Sequence, residues 1–239
     1  MPTEQASSKA PAEEFDEFAG DYDAALNKGL KFTGEKKEYY AEGRVRWLKS
    51  RLAALNLPVP TICLDYGCGT GTSAPQLTGA LGVSQYFGYD PSSESVAEAT
   101  KQHGGANAMF LHDMSLVASD SVDMAFCNGV FHHIPPADRP SCLEQIVRVL
   151  KPGGTFAFWE NNPWNPIVRL LMRLVPFDRD AIMLWPGEAK RLVASAGLTP
   201  VDRSYYFIFP SVLAPLRRTE PALSGLPLGG QYLLIFQKR

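Results

Sequence analysis

The chain has 239 residues, 45% hydrophobic and 20% charged, enough to bury one core or one core with a small cap. A formal net charge of −2 gives no basic footprint for nucleic acid, and no apolar run approaches the ~20 residues of a membrane-spanning helix. Cys63, Cys68, Cys127 and Cys142 show no paired metal spacing. With an acidic start that lacks a signal-peptide core, they predict reduced thiols, no metal and a cytoplasmic protein.

Residues 1–14 have no aromatic or branched apolar residue and read as a disordered tail. Residues 15–60 read as a helical cap. It begins with Phe15, Phe18 and Tyr22, aromatics three and four apart. A helix follows over 36–55, with Tyr40, Trp47, Leu48, Leu52 and Leu55 on one face, and Pro58 and Pro60 end it. The apolar run Thr61–Leu64 reads as a buried strand. It enters Leu-Asp-Tyr-Gly-Cys-Gly-Thr-Gly, 64–71, after which Thr72 and Ser73 open a segment with Leu77 and Leu81 at helical spacing. Gly67, Gly69 and Gly71, with Cys68 among them, allow a ligand to lie directly on the main chain. The spacing is G-x-G-x-G, not the G-x-G-x-x-G of dinucleotide sites. Asp65 would repel a pyrophosphate but suits a cationic ligand. This spacing, and the lack of a Tyr-x-x-x-Lys pair, disfavour a nicotinamide-dependent oxidoreductase.

A second strand, Tyr86–Tyr89, ends at Asp90, nineteen residues after Gly71. A carboxylate there can accept from both hydroxyls of a ribose. Pro91 and Ser92 start a helix to about Gln102, and Ala108–Leu111 form a third strand before His112, Asp113 and Met114. The fourth, Val122–Cys127, runs into Asn128-Gly129-Val130-Phe131-His132-His133. The ligand crevice of a doubly wound sheet opens at such a strand end, so either histidine is a candidate general base. An amphipathic helix over 138–150, the turn Lys151–Gly154 and a fifth strand, Thr155–Trp159, come next.

In the following segment Arg169 and Arg173 are four apart and share a helical face rich in apolar neighbours. Such a helix suits covering an apolar substrate, gripping an acidic group, contact with a membrane surface, or a homodimer contact. Residues 186–196 read as a further helix, then a strand through Tyr205 to Phe209, a long exposed hairpin loop over 210–231, and a last strand, Tyr232–Gln237.

The glycine loop with Asp65, the acidic end of the second strand, and Leu-Lys-Pro-Gly-Gly before the fifth strand resemble the class I S-adenosylmethionine-dependent methyltransferases of small molecules, over about residues 61–160. The resemblance implies an α/β fold: a Rossmann-like seven-stranded mixed sheet with helices on both faces, an N-terminal helical cap, and a methyltransferase domain over 61–239 with a substrate lid inserted at about 161–197. It implies S-adenosyl-L-methionine as cofactor. Asp65 would lie near its methionine ammonium, the loop Gly67–Gly71 beneath it, Asp90 and Pro91 at the ribose, Asp113 and Met114 at the adenine, and Asn128 and Gly129 alongside. It favours His133 over His132 as base. It places Tyr22, Trp164, Arg169 and Arg173 around a small-molecule acceptor methylated at oxygen or carbon. Glu160-Asn161-Asn162-Pro163-Trp164 follows the fifth strand rather than the fourth, so it is not the Asn-Pro-Pro-aromatic motif of DNA amino-methyltransferases. A non-catalytic cofactor-binding sensor or scaffold carries the same motifs and stays open on sequence.

Overall fold

The computed structural model describes residues 34–174 and 181–239. Tyr22 and the rest of the expected cap start, with Phe15 and Phe18, lie outside them. Helix α1, Lys37–Ala54, precedes seven strands: β1 Ile62–Tyr66, β2 Gln85–Tyr89, β3 Ala108–Leu111, β4 Val122–Asn128, β5 Leu150–Asn161, β6 Leu198–Tyr206 and β7 Gln231–Lys238. Between them run α2 Ser93–His103, α3 Arg139–Val149, α4 Pro166–Leu174, α5 Pro186–Ser195 and the short α6 Glu220–Leu223.

The strands make one mixed sheet in the order β3-β2-β1-β4-β5-β7-β6, with only β7 antiparallel to its neighbours. Successive side chains point to opposite faces, and both faces are buried. Leu64, Ala125, Cys127, Phe156, Phe158 and Leu234 face a core closed by Leu143 and Ile146 of α3 and by Ala189 and Val193 of α5. Cys63, Met124, Phe126, Ala157, Trp159 and Leu233 face a core closed by Val45, Trp47, Leu48 and Leu52 of α1. The segment 186–195, expected within a lid, thus covers the sheet as an ordinary crossover helix.

The chain leaves β1 toward β2 on one side and returns to β4 on the other. The connections leaving the carboxyl ends of β1 and β4 therefore diverge where the strand order reverses, the place such sheets bind ligands. β6 runs parallel to β5, and Tyr206 and Asn161 both pair with Gln231, so their two exit segments share this end of the sheet.

Three local expectations are corrected. The helix after the glycine loop is a single α-turn, Ala74–Gln76, continued by a π-turn, Leu77–Leu81, that stops at left-handed Gly82. The strand expected to reach Phe209 ends at Tyr206. Phe207 takes a φ of +62° and turns its carbonyl to the Gly230 N–H, 2.9 Å away. The expected exposed loop over 210–231 instead folds into a 3₁₀ segment, Ser211–Thr219, followed by α6. The buried Glu220 ties it down by accepting from the Ile208 and Phe209 amides.

Candidate active site

Asp65 stands near the end of β1 and is buried. Its Oδ2 accepts from the Tyr86 hydroxyl at 2.8 Å. Burial raises its pKa to about 7. The Tyr86 hydrogen bond and the charge of Arg44 pull the other way, and Asp90 adds to the rise. Arg44 is held on α1 by a 3.0 Å bond to the Gln231 side chain at the start of β7. Sequence reasoning missed both Tyr86 and Arg44. Only the sheet register, which sets Cys63 beside Tyr86, brings the phenol to the carboxylate.

The glycine loop is fixed by the end of β2. Gly67 and Cys68 amides donate to the Tyr89 carbonyl at 2.7 and 2.9 Å. Asp90 takes the Gly69 amide on Oδ2 at 2.8 Å and the Ser92 amide on Oδ1 at 3.0 Å. Asp90 thus couples the loop to the N-terminus of α2, whose cap is Ser92. Pro91 between them is exposed. Gly67 has φ +75° and lies against Val130, whose Cγ2 would be 2.4 Å from an added Cβ. Gly69, at φ +51°, has open space where its Cβ would be.

Asp113 is exposed and uses both oxygens on Ser115, accepting from its amide and hydroxyl at 2.8 and 2.7 Å. Those bonds hold its carboxyl below the usual range. Met114 is buried in the core, and its carbonyl accepts from Arg148 at 2.6 Å.

At the end of β4, Asn128 has a buried Oδ1 that accepts from no group among the described residues. Gly129 beside it has φ +66°, and its amide donates to the Trp159 carbonyl. The next turn presents the two histidines, with ring centroids 4.1 Å apart. His132 is buried, and its Nδ1 lies 2.5 Å from Oε2 of Glu160, itself 1% exposed. Oε1 of Glu160 accepts from the Phe131 amide at 2.8 Å. An ionised carboxylate accepts only, so it selects the tautomer with hydrogen on Nδ1 and leaves the Nε2 lone pair as the basic position. His133 is half-buried.

Glu160 was missed as a functional residue because its signal, an acid ending an apolar strand, is common. The missed Arg139 is also buried. It donates to the Ile134 and Ile182 carbonyls at 3.0 and 3.1 Å, and the Ile182 amide donates to the His132 carbonyl. This clamps the histidine turn to the segment before α5.

Asp65, Asp90, the glycine loop, Asn128, Gly129 and the histidines thus gather at the carboxyl ends of β1, β2 and β4. Trp164 and Trp185 meet edge to face at 4.9 Å farther out. Arg169 and Arg173 line a separate recess of about 290 Å³ with Pro163, Met172, Ala181, Met183 and Trp185.

Residues 64–158 match the methyltransferase domain family. The chain is 26% identical to trans-aconitate 2-methyltransferase of Azoarcus sp. over 78% of its own length and 69% of that protein. It is 26% identical to demethylmenaquinone methyltransferase of Staphylococcus saprophyticus, over 71% of this chain and 72% of the relative. Other relatives are spanned less fully, 57% of a Rhodopseudomonas palustris trans-aconitate 2-methyltransferase, for example. In fold, the chain is similar to an S-adenosylmethionine-dependent methyltransferase of Thermotoga maritima, with TM-score 0.65 and 17% identity over 95% of this chain and 99% of that one. Residues 64–158 thus belong to the methyltransferase domain family, and the chain around them is similar to class I S-adenosylmethionine-dependent methyltransferases.

Its cofactor is S-adenosylmethionine, and this methyltransferase's crevice fits that group on two independent observations. A buried carboxyl near the titration point and an unsatisfied amide oxygen are what a ligand ammonium or ring N–H would satisfy. The open space above Gly69 lets a ligand touch the loop's main chain.

Proposed function

We propose that this methyltransferase acts on a small amphiphilic acceptor, one with an apolar body and an acidic group, methylating it at an oxygen or carbon that first loses a proton. The observation that carries the reading is the buried His132–Glu160 pair at the end of the crevice. A base braced by a carboxylate suits an acceptor that must be deprotonated.

When bound, the cofactor supplies a sulfonium methyl group. Around it, Asp65 balances the ligand ammonium, Asp90 serves the ribose while bracing the loop, and Asn128 accepts a ligand N–H. Asp113 and Met114 stay assigned to the adenine end, Asp113 being exposed and Met114 forming the wall behind it. His132 takes the acceptor proton on Nε2 and Glu160 stabilises the resulting imidazolium, with His133 tilted against it. Arg169 and Arg173 hold the acceptor's acidic group, while Met172, Met183 and Trp185 give its body an apolar wall. Two curated relatives support these two chemistries separately: one is named for trans-aconitate, the other for demethylmenaquinone.

The test is incubation with methyl-labelled S-adenosylmethionine and a panel of hydroxylated, quinol and carboxylic acceptors, with and without a lipid tail. Label should pass to an amphiphilic acid or enol. Tight cofactor binding with no transfer to any acceptor would favour the non-catalytic cofactor-binding reading instead.

A further inference from the structure

We propose that the carboxyl end of the sheet docks on the surface of an anionic lipid bilayer. Among the described residues thirteen large apolar side chains are exposed, and ten of them sit at this one end. Trp164, Ile167 and Leu170 come from the segment leaving β5, and Ile182 and Trp185 from the stretch before α5. Val212, Leu213, Leu216, Leu226 and Leu228 come from the segment joining β6 to β7. These segments are tied to one another. Asn162 donates to the Pro227 and Gly229 carbonyls, Asn165 to the Leu228 carbonyl, and the Trp164 and Trp185 rings are in contact. Soluble monomers rarely leave so large an apolar fringe without a partner.

Charge says which partner. In residues 162–173, 181–187 and 207–230 the exposed ionisable side chains are Arg169, Arg173 and Arg218, and the only carboxylate, Glu220, is 1% exposed. These stretches are thus locally cationic although the chain as a whole carries a formal charge of −2, and Glu188, just past them on α5, faces Arg139 at 3.7 Å. A two-fold contact through this face would bring the cations of both copies together with no exposed carboxylate from these stretches to offset them. An anionic lipid surface complements them, while the aliphatic side chains enter the headgroup boundary and the tryptophans sit at its level. On α4, Ile167 and Leu170 face outward on one flank and Arg169 and Arg173 on the other, while Met172 points to the protein. No helix among the described residues is long and apolar enough to cross a membrane, so the contact is superficial. The crevice mouth then faces the lipid, from which an amphiphilic acceptor enters. That last step rests on the acceptor reading above; the docking itself does not.

The experiment is co-sedimentation of the full chain with vesicles of phosphatidylglycerol and phosphatidylcholine, and with vesicles of phosphatidylcholine alone, at low and high salt. Binding should be at least about tenfold stronger to the anionic vesicles and should weaken with salt. The pairs Ile167→Asp with Leu170→Asp, and Val212→Asp with Leu216→Asp, should each reduce it by about tenfold or more. Calorimetric affinity for S-adenosylmethionine should be unchanged in both, showing the fold intact. Equal binding to both vesicle types, no binding, or variants that bind like the parent would overturn the proposal. So would a stable dimer in sedimentation velocity that the same variants dissociate. Methyl transfer measured without vesicles separates the two ideas: transfer without docking removes only this inference, and docking without transfer removes only the acceptor reading.

Discussion

Tyr86 donates its hydroxyl to Asp65 across 2.8 Å where both side chains are fully buried. That bond is what leaves a carboxyl in the middle of an apolar sheet able to ionise near neutrality, at about 7 rather than higher. The ordinary carboxylate value of about 3.9 applies to the unfolded chain. Between the two values the folded protein holds a proton that the unfolded chain has lost. The group's contribution to stability is therefore fully present below the unfolded value and is lost as pH rises through about 7. A cationic ligand has the opposite preference, because it needs the carboxylate. Apoprotein Tm should fall with pH across this window, while S-adenosylmethionine affinity should rise and then level off above about 7. Calorimetry in buffers of different ionisation enthalpy should detect proton release on binding below that value. Affinity independent of pH would remove Asp65 from the ammonium site.

Tyr86→Phe keeps the ring and deletes the donor. Desolvation then acts on Asp65 with less opposition, so at neutral pH more of the protein must lose a proton to bind. We expect a cofactor Kd about tenfold higher, in line with ~1.5 kcal/mol for a hydrogen bond to a charged group. The loss should be smaller at alkaline pH.

Two glycines separate backbone from ligand. Gly67→Ala places a Cβ 2.4 Å from Val130 Cγ2 at φ +75°. It should lower Tm markedly, by more than the ~1–2 kcal/mol of left-handed strain alone. Gly69→Ala bears similar strain at φ +51° but meets nothing within 4 Å. Its Tm should fall less while cofactor affinity falls more, because the methyl occupies the space assigned to the ligand. Thermal melts with and without cofactor distinguish the two. Equal loss of affinity at near-equal Tm would show that Gly69 is not a contact.

The parts legible in the sequence were those set by short-range chemistry. Alternating and continuous apolar runs located the strands, and the G-x-G-x-G turn after β1 marked the crevice. Asp90 was placed by its distance from Gly71. Its two amide partners, Gly69 and Ser92, were not visible, because the carboxylate's bracing of the loop depends on how β2 ends beside β1. Tyr86, Arg44 and Arg139 were opaque for the same reason, each acting on a residue at least five positions away that only sheet order or a loop brings near. Proline and glycine in 210–231 suggested open loop. The buried Glu220 satisfies two amides and allows that stretch to coil tightly instead.

Asp90→Ala should therefore do more than lose a ribose contact. Removing the carboxylate leaves the Gly69 and Ser92 amides without their acceptor, and these were 2.8 and 3.0 Å away. We expect losses of cofactor-binding free energy and of stability, the latter read as a lower Tm, each of roughly 1–3 kcal/mol. Asp90→Asn keeps one acceptor oxygen and should recover part of the Tm but little of the affinity. Full recovery of affinity by Asn would show that Asp90 acts on the loop alone.

The last prediction concerns Glu160, whose two oxygens serve two donors, the Phe131 amide and the His132 imidazole. Glutamine offers one acceptor oxygen and one NH₂ group. In Glu160→Gln, either the Phe131 amide faces the NH₂ group, which costs about 1–3 kcal/mol of stability, or the imidazole must switch tautomer and accept from it on Nδ1. If the oxygen stays with Phe131, the tautomer with hydrogen on Nδ1 is no longer favoured and the proton moves to Nε2, the position that must be basic. The imidazole also loses the charge that stabilises the imidazolium. Turnover should fall with little change in cofactor Kd, because the pair acts on the acceptor. His132→Asn should lower kcat by ~10²–10⁴, the usual contribution of a general base. His133→Asn should lower it less. The double variant Glu160→Gln with His132→Asn should be no slower than His132→Asn alone, since Glu160 works through the imidazole. Additive losses in that cycle would assign Glu160 a contact of its own with the acceptor. A larger loss at His133 would return the base to the second histidine, as the family resemblance favours.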